Sequence, residues 1–511
     1  MKESGEMKES IAIIDLGSNS LRMNIFGIND QGGYSIYDQA SEMVRLSEGL
    51  GSDLILKEEP IKRTISALNY FQKLIEVNSV KKVYALATAA VRMAKNQHMF
   101  LERVKVETGF EFTVLSGNQE AYYDYLGVVN SMEIRNALIV DIGGGSTELI
   151  WMKDRELIKA ISLPIGSVTL SEKFSDIKSR KKRMEIAEKY IKSFYKKIDW
   201  LSELKGSPMI GLGGVIRTLG KVDRAKHGYP LENLHNYRLH EKEVQIICNQ
   251  IFESDQKDLE KISGISKRRA DIIALGLLPF KCLFEMNDAP EIRISGNGLR
   301  DGYFYEKYFT SIGKPSIVED VLLQSKENIM RRFGVNQKHA NHVKDLTLKL
   351  YDGLSEHIDF DSNHRKILST AAMLHDIGMH IEYYDHHIHG YYLIMNGRLE
   401  GLTNAERISV AFLVGNHRSS GIKSQMDDYI GIVSKNEIQR LWKLAILLMF
   451  CEQLDRAENG AVEDLKVMMN KDSIDIVLLS SETLDLEISS ANQYLDRFEK
   501  IFQKKIRFVK W

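Results

Sequence analysis

Asp15 and Asp141 each close a short apolar run and open a turn of small residues. Leu-Gly17-Ser18-Asn19-Ser20 and then Arg22 follow Asp15. Ile-Gly143-Gly144-Gly145-Ser146-Thr147 and then Glu148 follow Asp141. The two segments, 11–23 and 137–149, read as copies 126 residues apart. The oxygens of a transferred phosphate carry full charge and need N–H donors, hydroxyls and cations already in position. Glycine lets the backbone come close to such a group. Gly17, Ser18, Asn19, Ser20 and Arg22 are therefore expected to bind phosphate, as are Gly143, Gly144, Gly145, Ser146 and Thr147. Asp141 and Glu148 are expected Mg²⁺ ligands, because Mg²⁺ takes one or two carboxylates and keeps several waters. The first turn is mainly a phosphate-binding set, and the second suits metal and water better.

Two further segments bear on the same chemistry. Thr88-Ala-Ala-Val-Arg92 puts Arg92 in the first turn of a predicted helix, where its charge opposes the helix dipole. A phosphate beside it would explain the placement. Ser116-x-x-Gln119 is a capping-box pattern, so Glu120 lies near a helix N-terminus. On its own, an acid there is ordinary electrostatic support.

The elements that carry these residues repeat. Strands are predicted at 11–16, 21–28 and 33–39, a helix at 58–78, a strand at 82–88, a helix at 90–107, a strand at 111–115 and a helix from 117. From 137 the order begins again, with strands at 137–142, 147–152, 156–163 and 208–212, a charged helix at 178–197 and a last strand at 291–295. Two consecutive βββαβα units that each open on Asp-x-Gly argue for an α/β fold of duplicated ribonuclease-H-like (actin-like) domains, at 1–132 and 133–312. Gly313-Lys-Pro315 reads as a linker. An all-α domain is expected at 313–460. A small α/β tail is expected at 461–511, with strands at 464–469, 474–479 and 483–488.

At 511 residues, with 43% hydrophobic and 27% charged side chains, the composition is that of an ordinary globular protein. A net charge of −1 supplies no general field for nucleic acid or an acidic membrane, so neither is an expected partner. Cys248, Cys282 and Cys451 are too far apart for a paired-thiol metal motif and suit a reducing compartment. The polar N-terminus does not read as a signal peptide, and 441–450 is too short to span a bilayer. The cytoplasm is the expected location. Ten of the 14 histidines fall between His339 and His417, which marks a module with its own chemistry.

Nine stretches in register resemble the exopolyphosphatase/guanosine pentaphosphate phosphohydrolase family: IAIIDLGSNSLRMNIF, MVRLSEGLG, ATAAVRMAKN, VLSGNQEAYYDYLGV, LIVDIGGGSTELI, LPIGSVTL, GLGGVIRTLG, SKRRADIIALG and ISGNGLRDG. They cover about residues 11–303. The resemblance implies that Glu120 is the catalytic base that activates water. It also implies that Asp141 and Glu148 belong to the metal and water site and that Arg92 contacts phosphate. Gln119 departs from the second Glu of many members. Ile216 stands where a small hydroxyl residue is common, which would loosen a contact in the third loop. Lys267-Arg268-Arg269 lies within a family-like stretch, and Arg269 is the expected phosphate contact. The Lys/Arg run at 178–183 could also line a polyanion path. A homodimer is what the family suggests.

His342, His375-Asp376 and Asp455 resemble the ligand set of HD-domain phosphohydrolases. Imidazole with carboxylate suits Mn²⁺, Fe or Zn²⁺ better than Mg²⁺. His386, His389 and His417 could supply a second metal or bind phosphate. The expected activity is removal of the terminal phosphate from inorganic polyphosphate by Glu-activated water with Mg²⁺. One alternative is 5′-phosphate removal from guanosine pentaphosphate (pppGpp). Alternatives of other classes are an actin-like ATPase or sugar kinase, and a non-catalytic phosphate-chain sensor.

Overall fold

Ile11, Ala12, Ile13 and Ile14 are all buried, as a strand enclosed on both faces requires. They belong to β1 (Met7–Leu16), the centre of a five-stranded sheet with β2 (Leu21–Asn29), β3 (Tyr34–Glu42), β4 (Lys82–Ala87) and β5 (Phe112–Val114). The sheet order is β3-β2-β1-β4-β5. β1 pairs parallel with β4, Asp15 lying opposite Leu86, and β4 pairs parallel with β5. This computed structural model describes residues 7–355, 359–418 and 423–510.

The second sheet is built from β6 (Ala137–Ile142), β7 (Thr147–Lys153), β8 (Glu156–Leu163), β9 (Met209–Leu212), β10 (Tyr237–His240) and β11 (Glu291–Ile294). Its order is β10-β11-β9-β6-β7-β8. Read from β8 to β11 it repeats the first sheet strand for strand, with β6 in the place of β1. β10 is an extra antiparallel edge strand that the periodicity did not predict. The strand order, together with the pairing of β6 to β9 in parallel and to β7 in antiparallel, makes this a duplicated ribonuclease-H-like (actin-like) fold. In both halves chain order reverses beside the central strand, and ligands bind outside the carboxyl ends of strands at such a point.

Helix Gly117–Val129 packs on helix Leu299–Ser311 almost backbone to backbone. A methyl on Gly302 would overlap the Tyr123 carbonyl, and one on Gly127 would overlap the backbone of Gly298. The expected helix at 90–107 is broken in two, Ala89–Met93 and Gln97–Thr108. Ala94 is extended between them, and the Asn96 side chain exchanges hydrogen bonds with the Leu56 backbone.

The described chain forms two compact units, one of residues 7–28 and 35–321, the other of 29–34 and 322–510. The second is mainly helical: Gln337–Ser355, Ser362–Leu374, His386–Asn396, Asn404–Gly415 and Lys435–Gln453 surround buried Leu350, Leu368, Leu413, Leu448 and Phe450. Its sheet joins β12 (Asp464–Met469), β13 (Ser473–Leu479) and β14 (Lys505–Lys510) in the order β12-β13-β14. The strand expected at 483–488 is instead the start of helix Asp485–Asn492. Leu-Asp-Leu-Glu-Ile alternates, but the buried positions are Leu484, Glu487 and Ala491, which is helical spacing. The three cysteines are buried and unpaired. Among the described residues, no helix is long and apolar enough to cross a membrane.

Gly302→Val should lower stability by roughly 2 kcal/mol or more, since overpacking against backbone cannot relax by side-chain motion. A urea midpoint unchanged from wild type would show that the helix contact does not matter.

Candidate active site

The two turns close in the same way. Gly17 N–H donates to Ser20 O at 3.1 Å, and Gly143 N–H donates to Ser146 O at 3.0 Å. They also face each other: a methyl on Gly145 would overlap the Ser18 hydroxyl, and one on Gly144 would press on Asn19 N at 3.1 Å. The duplication thus brings two turns from different sheets into contact across one cavity of about 140 Å³. Asp15, residues 17–20 and Arg22 line one side; Asp141, residues 143–146, Gly213 and Arg217 line another; Glu120 and Asp124 come from helix Gly117–Val129.

Thr147, expected on phosphate, does not reach the cavity. Its hydroxyl donates to Ile165 O at 2.6 Å, and the side chain is fully buried. Ile216 is also fully buried, against Gly211, so it neither loosens the third loop nor weighs on what binds there. The run at 178–183 lines no part of the cavity; Arg180 and Arg183 donate to the Ile251 and Ile177 carbonyls.

Ser116 and Gln119 form the expected capping box, at 3.2 and 2.9 Å. Gln accepts the N–H as Glu would, so the departure at 119 leaves the cap intact. The box fixes the first turn of the helix and hence Glu120. Arg92 lies in the last turn of its five-residue helix, not the first, so its charge complements the dipole. Its Nη1 donates to Glu120 Oε2 at 2.9 Å and to Leu115 O at 2.8 Å. Arg92 therefore meets the acid first, and it lines a neighbouring cleft with Ser116 and Ser162, not the main cavity.

Burial pushes the Glu120 carboxyl up to about 7, against the pull of Arg92 and with the added repulsion of Asp15 and Asp141. Asp141 is pushed up to about 6 by burial, with Arg217 and Arg22 opposing. Burial also raises Asp15, against Arg300 and Arg22. Asp124 and Glu148 are held well above the usual carboxylate range, first by burial and then by the other acids.

Asp124, Asp141 and Glu148 each offer an oxygen within 4.8 Å of the others. Both oxygens of Asp124, Oδ1 of Asp141 and Oε2 of Glu148 are buried without a hydrogen-bond partner. Glu148 Oε1 takes the Ser162 hydroxyl at 2.7 Å. Three orphaned hard oxygens at this spacing fit a divalent cation, which would restore their ionised forms. Asp124 was not singled out from the sequence, although Glu120-x-x-x-Asp124 places both carboxylates on one helix face.

Facing the acids is a group of arginines. Arg22, Arg217, Arg269 and Arg300 all line the cavity, and Arg269 lies over Gly214. Burial pushes Arg217 down to about 10, with Arg22, Arg300 and Arg269 adding like-charge repulsion and Asp141 opposing. Arg217 and Arg300 were also missed. They stand in the family-like stretches GLGGVIRTLG and ISGNGLRDG, but no local pattern separates them from surface arginines. Mutually repelling guanidinium groups held this close match a multiply charged phosphate.

In the helical unit, His375 and Asp376 stand together as expected. His342 does not join them: His339, three residues earlier on helix Gln337–Ser355, takes that place. His342 lines a cleft with Asp345, Asp455 and Glu458. Asp455 Oδ2 accepts from His339 Nδ1 at 2.8 Å, so it orients His339 rather than joining the group itself. His386 and His417 group with Asp376, and His389 lies in neither group.

The model of the Ppx/GppA phosphatase family matches residues 25–310, and that of Ppx/GppA phosphatase, domain III, matches 321–499. A guanosine-5′-triphosphate,3′-diphosphate pyrophosphatase of Pseudoalteromonas atlantica is 30% identical over 421 residues, 80% of each chain. One of the same name from Pseudoalteromonas translucida is 28% identical over 454 residues, 88% of each chain. A Ppx/GppA family member of known structure from Aquifex aeolicus is 31% identical, with a TM-score of 0.51 over 59% of this chain and 98% of that one. An exopolyphosphatase from Cytophaga hutchinsonii, 22% identical, shares the fold with a TM-score of 0.56 over 61% of this chain and all of that one. With a family match across more than half its length, the chain belongs to the Ppx/GppA phosphatase family.

Proposed function

We propose that the chain hydrolyses the terminal phosphoanhydride of inorganic polyphosphate, with Glu120 as general base. The observation that carries this reading is the placement of Glu120: a buried carboxyl, raised to about 7 by burial, hydrogen-bonded to Arg92 and lining the cavity that the two Gly/Ser turns and four arginines share. A base with that pKa accepts a proton from water near neutrality.

The terminal phosphate sits between the turns at 17–20 and 143–146. Arg22, Arg217, Arg269 and Arg300 meet its oxygens and those of the next phosphate. Water beside Glu120 forms the new P–O bond, its proton passes to Glu120, and the bond to the bridging oxygen breaks. Orthophosphate and a chain shorter by one phosphate leave. Asp124, Asp141 and Glu148 would hold Mg²⁺, which supplies charge neutralisation at the phosphoryl oxygens. Arg92 keeps Glu120 ionised and aimed.

The second reading, 5′-phosphate removal from pppGpp, is favoured by the names of the two Pseudoalteromonas relatives. It needs the same site and the same base. A kinase has no use for a general base on water in this position; an ATPase would use one, and the substrate ranking separates it.

Initial rates of phosphate release from long-chain polyphosphate, pppGpp and ATP, measured side by side, should rank polyphosphate first by kcat/KM. A first rank for pppGpp would replace the proposal with the second reading, and a first rank for ATP would end both. Glu120→Gln should lower kcat by about 10²- to 10⁴-fold, the range of a lost general base. Polyphosphate binding by that variant should persist in filter-retention assays. Wild-type kcat/KM should rise with pH as Glu120 deprotonates near 7. Because Arg92 lowers that pKa, Arg92→Met should move the rising limb to higher pH. An unmoved limb would detach Glu120 from the profile.

A further inference from the structure

His235 takes no part in the chemistry above. It stands in the turn between helix Gly213–His227 and β10 and does not line the cavity, yet its ring reaches backbone on two sides. Its Nδ1 lies 3.1 Å from Gly296 N, and its Nε2 lies 3.2 Å from Ser131 O. Gly296 belongs to the loop 295–298, which lines the cavity and leads into helix Leu299–Ser311 with Arg300 in its first turn. Ser131 lies two residues beyond helix Gly117–Val129, which carries Glu120 and Asp124.

Two asparagines build the turn that presents the ring. Asn233 Oδ1 accepts the His235 backbone N–H at 2.8 Å. Asn236, in the left-handed region at φ 61°, donates its N–H to Ile294 O at 2.8 Å. Asn adopts that conformation more readily than most side chains. The turn is thereby anchored to the last residue of β11, directly before the loop that the ring meets.

The two ring contacts fix one tautomer. A carbonyl only accepts, so the contact with Ser131 O places the proton on Nε2. Nδ1 then keeps a lone pair, and the Gly296 N–H donates to it. A neutral imidazole satisfies both neighbours with a single proton.

Each N–H of the loop has an acceptor in the protein. Ser295 N–H donates to Gly211 O at 2.9 Å, Gly296 N–H to His235, Asn297 N–H to Ser295 Oγ at 3.1 Å and Gly298 N–H to Asp301 Oδ2 at 3.2 Å. Of these four ties, the one at Gly296 is made by a side chain from outside the loop and the helix that follows it. The fit is close. A methyl on Gly296 would lie 3.2 Å from His235 Cβ, and one on Gly298 would lie 3.2 Å from Asp124 Oδ1. A shift of the loop would therefore be felt at Asp124 and would move Arg300, whose charge acts on Asp15 and Arg217.

We propose that His235 is a positioning residue of the phosphatase site. Its Nδ1 holds the loop 295–298 through Gly296 and so fixes Arg300 for substrate phosphate. Ser131 O keeps Nδ1 an acceptor by claiming the proton. The proposal rests on the phosphatase reading for the part that Arg300 plays.

Asparagine and glutamine divide the two contacts: the Asn amide falls near the place of Nδ1, and the Gln amide near that of Nε2. KM does not depend on the fraction of chain that folds. For long-chain polyphosphate it should rise about tenfold in His235→Ala, with kcat changed less, because a loosened Arg300 weakens the hold on the phosphates. His235→Asn should keep KM near the wild-type value, and His235→Gln should behave as His235→Ala. A role in packing alone predicts an unchanged KM, or rescue by Gln as full as by Asn; either result would overturn the proposal. Amide exchange of the segment containing Gly296, followed by mass spectrometry without substrate, should speed up in the Ala and Gln variants but not in the Asn variant. Exchange at the wild-type rate in His235→Ala would overturn the contact itself. Failure of the wild-type chain to release phosphate from polyphosphate would count against the phosphatase reading on that substrate, and the same three variants are then ranked on pppGpp.

Discussion

Glu120, Asp124 and Asp141 line one cavity with buried Glu148 within 4.8 Å of the last two, and the mutual repulsion of these four acids is the constraint from which the rest of the site follows. Two unit charges 4.8 Å apart repel by about 3.5 kcal/mol even at an effective dielectric of about 20. The fold does not quench these charges with hydrogen bonds, since most of the oxygens at the centre of the cluster have no partner. It sets Arg22, Arg217, Arg269 and Arg300 against them and leaves the three innermost carboxylates spaced for a cation. Such a site is least stable when empty. Binding an anion against the arginines and a cation against the acids relieves both sets of repulsion together, so binding of the two should be mutually favourable.

Duplication supplies the rigidity that this arrangement requires. β1 and β6 are each fixed by a parallel neighbour, so the Asp at each strand end cannot retreat toward solvent. The turns that follow differ in content but share one closing hydrogen bond, and the small residues in both let them come into contact. The third wall is helical. Gly127 and Gly302 let helix Gly117–Val129 seat deeply against Leu299–Ser311, which brings Glu120 and Asp124 to the cavity from one side and Arg300 from the other.

The sequence was most legible where chemistry and local pattern coincide. The Asp-Gly turns, the capping box at Ser116 and the repeated strand order follow from rules that act over a few residues, and the fold and half of the cavity follow from them. Asp124, Arg217 and Arg300 were not legible in the same way, because what makes them special is burial beside distant charges. Arg92 was found but assigned to phosphate alone; its bond to Glu120 joins residues 28 apart, which no local pattern announces. Thr147 failed for the opposite reason. It looks like the continuation of a phosphate turn, but strand pleating turns its hydroxyl into the core.

The histidine cluster shows the same limit in another form. His339 and His342 are three residues apart on one helix, so spacing alone cannot say which faces His375. The answer lies in Asp455, which reaches His339 Nδ1 and, with its other oxygen, receives Gly460 N–H at 2.9 Å. A carboxylate already engaged on both oxygens is a poor direct ligand and a good orienting one. The two units thus solve opposite problems. In the first, orphaned carboxylates lack positive charge; in the second, a single carboxylate is ringed by imidazoles whose protons are all committed outward.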